Sequence, residues 1–140
     1  NLDLLRQRAQ EIRSALTVLS GYGALSLEHF LASQQVIDAT KYRLVVAIEA
    51  SASICTHLAA RLAQTTPDSY AQCFDVLASA GLIPGPLAER LGRMARFPNL
   101  LVHGYGAVDD TRVWEILHSD VRDLDTYLSE IGQALKQQLP

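Results

Sequence analysis

Leu44-Val45-Val46-Ala47-Ile48-Glu49-Ala50-Ser51-Ala52-Ser53-Ile54-Cys55-Thr56-His57-Leu58-Ala59-Ala60-Arg61-Leu62-Ala63 is the stretch that decides the fold. Wound at about 100° per residue, its apolar side chains fall on nearly every side of a helix. A helix that is apolar all round has to be covered all round. In a domain this small, one side faces the monomer's own core and the other faces a partner chain. The segment therefore predicts a homodimer with this helix at its centre; the other arrangement is a central helix in a monomeric bundle. Glu49, Ser53 and His57 recur every four residues and share one helix face. A carboxylate and an imidazole in such a segment need partners or water. The row reads either as a polar cleft at the dimer interface, supported by Glu49 and Ser53, or as a hydrogen-bonded network near a helix end.

Outward from this segment the helical spacing continues. Leu2, Leu5, Ala9, Ile12, Leu16 and Leu19 fit an amphipathic first helix that stops at Gly21-Tyr22-Gly23. Ser26 caps a short helix, and the long one runs from about Gln34 to Ala63. After Pro67 a shorter helix from Asp68 or Ser69 reaches Ala80, with Gly81 as its C′ stop. Pro86 opens the next, which runs through Arg90, Arg93 and Arg96 toward His103. Asp109 or Asp110 caps a last segment, broken near His118-Ser119, that ends about Gln137. Strand and hairpin signals are absent. The expectation is an all-α, single-domain bundle over 1–140, of about five to six helices.

Of the 140 residues 49% are apolar and 19% charged, with a net charge of −3. Low charge with high apolar content agrees with surface buried between subunits. An acidic chain is not a global electrostatic binder of nucleic acid, so any such contact has to come from a local patch. No signal peptide, basic tail or membrane-spanning run is read, which makes the cytoplasm the expected compartment. Cys55 and Cys73 lack a C-x-x-C arrangement and read as two reduced thiols.

Chemistry concentrates in Phe97-Pro98-Asn99-Leu100-Leu101-Val102-His103-Gly104-Tyr105. An imidazole and a phenol stand two apart around a glycine, and both can act on phosphate. The four histidines, His29, His57, His103 and His118, have no metal-ligand spacing, so no metal and no cofactor is expected. Metal-free RNA cleavage needs a base near neutral pKa for the ribose 2′-OH and a cation for the phosphorane. Histidine suits the first role and arginine the second. Arg90, Arg93 and Arg96 recur every three residues as a basic stripe toward His103. It reads either as an RNA-binding set with Asn99, or as a solvated face paired to acids such as Glu89.

Met94-Ala95-Arg96-Phe97, Leu100 to Tyr105 and Val108-Asp109, with the Tyr42 to Leu58 helix and the Ser69-Tyr70 to Gly81-Leu82 segment, resemble the HepT family of HEPN-domain toxins. The resemblance covers nearly the whole chain. It implies an all-α homodimer whose two motif copies line one RNA-binding cleft, acting as a metal-independent endoribonuclease with His103 as base. It also implies a partner, a minimal nucleotidyltransferase antitoxin of the MntA type, as in type VII toxin–antitoxin systems. That partner neutralises the toxin by AMPylating the motif tyrosine, here Tyr105, which adds charge and bulk to the cleft.

The family pattern sets an arginine five residues before the histidine, and this chain has Pro98 there. Proline has neither charge nor donor, so cleavage by this sequence is expected to be impaired. Proline also predicts a kink or a helix restart at 98. Three accounts stand open: a substitution that relieves toxicity, Arg96 standing in at wider spacing, or a non-catalytic family member. In an unbroken helix Arg96 points about 160° away from position 98. The rival reading is a non-catalytic HEPN module that docks a nucleotidyltransferase partner or binds nucleotide.

Overall fold

The computed structural model describes residues 2–103 and 109–138, and for 101–103 and 138 the backbone alone. Among the described residues there are eight helices and no strand: α1 (Leu2–Gly23), α2 (Leu27–Leu31), α3 (Gln34–Leu62), α4 (Tyr70–Ser79), α5 (Gly85–Met94), α6 (Phe97–His103), α7 (Asp110–Ser119) and α8 (Val121–Gln138). The all-α bundle expected from periodicity is what forms. The larger number of helices comes from two breaks. One, at Asp120, falls beside the break expected near His118-Ser119; the other, at Ala95-Arg96, interrupts the helix expected to run on to His103.

The helix starts follow from local side chains. Ser26, Ser33 and Ser69 accept hydrogen bonds from the amides of His29, Val36 and Gln72 at 3.1, 3.3 and 3.1 Å. Asp109 does the same for Thr111 at 2.9 Å. Each satisfies a first-turn donor that would otherwise lack a helical partner, an effect worth about 1 kcal/mol. At the end of α4, Gly81 takes a φ of 79°. Its amide donates to the Ala78 carbonyl and the Leu82 amide to the Leu77 carbonyl, at 3.0 and 2.9 Å. This paired closure requires a left-handed residue, which glycine supplies without strain.

α3 is the axis of the molecule. It packs most extensively on α1 and also meets α2, α4, α6 and α7. Ile37, Leu44, Ile48, Ile54 and Leu58 are buried along it, each worth about 1.5–3 kcal/mol relative to exposure. From α8, Tyr127 is fully buried and donates its hydroxyl to the Ser51 carbonyl at 2.9 Å. Burial pushes this phenol's pKa far up, so it stays protonated. Its ring meets Phe74 edge to face with centroids 5.7 Å apart.

α4 lies flat on α5 because Gly92 has no side chain: a Cβ there would come within 3.3 Å of the Ala71 Cβ. Two expectations are corrected here. Cys55 and Cys73, read as reduced thiols, form a disulfide that ties α3 to α4, with Cα atoms 6.1 Å apart. And α3 does pass the length and composition test for a membrane span, although 56% of its most apolar window is buried within the bundle. A core helix passes the same test.

Candidate functional site

Pro98 organises the site. α5 closes with the Ala95 amide donating to Leu91 and the Arg96 amide to Arg93. α6 then opens at Phe97, and the Arg96 carbonyl accepts its first bond from the Leu100 amide at 3.2 Å. Pro98 is thus the second residue of a first turn, where its missing N–H has no partner to lose. The expected restart is present, and no interior hydrogen bond is lost to it.

The break reorients what precedes it. Arg96 no longer continues the α5 face, and it lines the same cleft as Pro98 and Asn99. The opposed directions expected of an unbroken helix do not apply. Glu49 from α3 and Tyr70 from α4 face them across about 530 Å³, with Asp68 and Ser69 at the side. Ala71 and Gly92, the pair that brings α4 against α5, also line this cleft. Among the described residues Arg96 forms no ion pair.

Tyr70 is fixed in this cleft by an acid on another helix. Its hydroxyl donates to Glu49 Oε2 at 2.6 Å. That hydrogen bond, then burial, then the carboxylate's charge, pushes the phenol pKa up to about 12. The pair is separated by 21 residues, and no local spacing announces it.

The row of Glu49, Ser53 and His57 is real as a face: all three line a shallower cleft with Tyr70. Ser53 Oγ accepts from Arg8 Nε at 3.2 Å, and Arg8 Nη1 pairs with Glu11 at 2.8 Å. Burial is the main cause that lowers the His57 pKa, and the charge of Arg61 adds to it.

The arginine stripe divides. Arg90 Nε pairs with Asp123 at 3.0 Å, and Arg93 Nη1 with Glu89 at 3.0 Å. Both line a second cleft on the other flank of α6, with Arg112 of α7, while Arg96 turns to the first. The acid-paired alternative therefore describes Arg90 and Arg93, and a single stripe leading to the motif does not form. His103 ends α6 one turn beyond Asn99; its side chain, and Tyr105 altogether, lie outside the described residues. Among the described residues no cluster of His, Cys, Asp and Glu could hold a metal ion.

The sequence matches the family model described as Ribonuclease HepT-like over residues 7–131. No curated protein sequence matches significantly. Among solved structures the chain is similar to a tri-AMPylated Shewanella oneidensis HEPN toxin in complex with an MNT antitoxin, at 21% identity and a TM-score of 0.86. It is similar also to a toxin–antitoxin complex with AMP-PNP, at 20% identity and 0.86, and to a mutant MntA toxin–antitoxin complex, at 21% and 0.85. In each case 94% of this chain and 98% of the other superpose.

Proposed function

The chain belongs to the HepT-like ribonuclease family, and from that membership we propose that it is the toxin of a HepT/MntA-type pair, a metal-independent endoribonuclease acting in the cytoplasm. The observation that carries this reading is the meeting of Arg96, Pro98 and Asn99 in one cleft, a turn before His103. His103 takes the proton of a ribose 2′-OH. The 2′-oxygen attacks the adjacent phosphorus, the bond to the 5′-oxygen breaks, and the proton leaves on that oxygen. A 2′,3′-cyclic phosphate and a 5′-hydroxyl result. Arg96 neutralises the charge that builds on the phosphorane oxygens. With Pro98 where the family sets arginine, the cleft works with one guanidinium, and cleavage is impaired.

The unit of action is a homodimer of the whole 1–140 domain. α3 leaves one face uncovered, on which Tyr42 is 66% exposed and Val46, Glu49, Ser53 and Thr56 follow at helical intervals. A second copy covers this face and brings two motif copies to a shared cleft. Control is by a nucleotidyltransferase antitoxin. The Tyr105 oxygen attacks the α-phosphate of ATP, pyrophosphate leaves, and the bound AMP blocks RNA. The AMPylated HEPN toxin that this chain resembles in fold supports that assignment.

A specific observation favours a second reading. Glu49 and Asp68 bring two carboxylates to a cleft with one guanidinium, and carboxylates repel RNA phosphates. In that reading the chain is a non-catalytic module that docks its partner or binds nucleotide. RNA cleavage by Pro98→Arg, abolished by adding His103→Ala, supports the toxin. A Pro98→Arg protein that neither cuts RNA nor slows growth removes that reading in favour of the module. Incubation with the antitoxin and ATP should add mass in AMP units, and Tyr105→Phe should prevent it.

A further inference from the structure

We propose that the second cleft, on the flank of α6 away from Pro98, is a subsite for a nucleoside monophosphate unit. It encloses about 390 Å³, within the range of small-molecule sites. Its floor is apolar: Met94, Phe97 and Ile116 are exposed by 6, 5 and 7%, so they are fixed in the core and show the cleft only an edge. Its rim carries guanidinium groups from two helices, Arg93 of α5 and Arg112 of α7. An apolar floor under a rim that carries three guanidinium groups and two carboxylates, Asp109 and Asp120, matches a ligand with one flat end that donates hydrogen bonds and one anionic end.

The state of each arginine says which ones take the phosphate. Arg93 pairs with Glu89 and Arg112 with Glu115, each one turn away on its own helix, and all four side chains are at least half exposed. Such pairs are worth about 0.3–0.5 kcal/mol, so a phosphate that accepts from both forks displaces them readily. Arg90 differs. Its partner Asp123 belongs to α8 and is 13% exposed, which makes Arg90 a fixed wall. Asp109 and Asp120 complete the rim, already accepting from the Thr111 amide and the Ser119 hydroxyl. They offer the base acceptors only, so adenine, whose exocyclic amino group brings two N–H donors, is preferred to uracil, whose ring N3–H brings one.

The unit comes either free or within an RNA strand crossing α6, and the second source rests on the ribonuclease reading. The test is calorimetric titration of the full chain with AMP, UMP and inorganic phosphate, beside anisotropy with a 2′-O-methyl RNA that cannot be cut. The wild type and the double variant Arg93→Ala/Arg112→Ala are compared. AMP should bind the wild type at least about tenfold more tightly than phosphate or UMP, and the double variant should lose at least about tenfold. An equal loss for the oligonucleotide assigns the unit to RNA; a loss for AMP alone assigns it to a free nucleotide. A smaller loss for both ligands, or AMP no tighter than phosphate, overturns the subsite. The two readings fail separately. Cleavage by Pro98→Arg with oligonucleotide and AMP affinity insensitive to these arginines removes the subsite and leaves the ribonuclease. AMP binding that needs them, without any cleavage, does the reverse.

Discussion

Pro98 sits where the amide it lacks has no helical partner to lose, and the residue it most affects is Arg96. Freed from the α5 face, Arg96 lines the cleft with Asn99 and among the described residues has no ion-pair partner. If it stabilises the phosphorane, Arg96→Ala should lower RNA cleavage about 100-fold to 1000-fold, the usual effect of removing one such donor. A fluorogenic RNA substrate reads this directly, and unchanged turnover would exclude the role. Tyr70 makes a different prediction. Its phenol is ordinarily near 10.0 and is raised to about 12 in the fold. A raised folded value means stability that is fully present below pH 10 and is lost as pH climbs from 10 toward about 12. The stability advantage over Tyr70→Phe should therefore be constant from pH 7 to 9 and shrink above 10 in urea unfolding. An advantage that grows above pH 10 would contradict the Glu49 hydrogen bond. At this scale the helix restart at Pro98 was legible, because proline acts on its own turn. Tyr70 was not, because its partner lies 21 residues away on another helix.

Helix ends were the most legible elements. Ser26, Ser69, Asp109 and Gly81 act on amides and carbonyls within a few residues, so the sequence alone exposes them. The α5–α6 break was half legible: Pro98 announces a restart, but the three-residue spacing of Arg90, Arg93 and Arg96 imitates a continuous face. The α3–α4 disulfide was misread, because nothing in an 18-residue separation says which sulfurs meet. Closing a loop of that length is worth about 3 kcal/mol in the chain-entropy account. Reductant should lower urea-unfolding stability by about that amount, and Cys73→Ala should abolish the sensitivity. No difference with and without reductant would show that the bond is not formed in solution. Where α4 meets α5, Gly92→Val has to push against Ala71, whose Cβ a Gly92 side chain meets at 3.3 Å. It should cost about 1–3 kcal/mol by overpacking, and a loss below about 0.5 kcal/mol in the same assay would mean the helices part easily.

At the scale of the whole molecule, helical periodicity pointed correctly to an all-α bundle, and the all-round apolar pattern of α3 pointed to a face in need of cover. Bundle class was legible because it rests on pattern alone. The way α6 and its two clefts sit on the bundle was not, because it depends on contacts between helices distant in sequence. If a second copy covers α3, sedimentation should give twice the 15.3 kDa chain mass, and Val46→Asp should return a folded 15.3 kDa species. A chain that sediments as a monomer at micromolar concentration would remove the shared cleft with it.

The joint at Ala95-Arg96 bears on how such motifs are recognised. In a continuous helix, the count of residues between an arginine and a histidine fixes the angle between them. A break makes that angle a free variable, reset by wherever the second helix begins. Spacing then stops being a ruler, and the start of α6 becomes the origin from which position is measured. Chains with proline just inside that start can hold their cation before the joint, and a search demanding one fixed interval would pass over them.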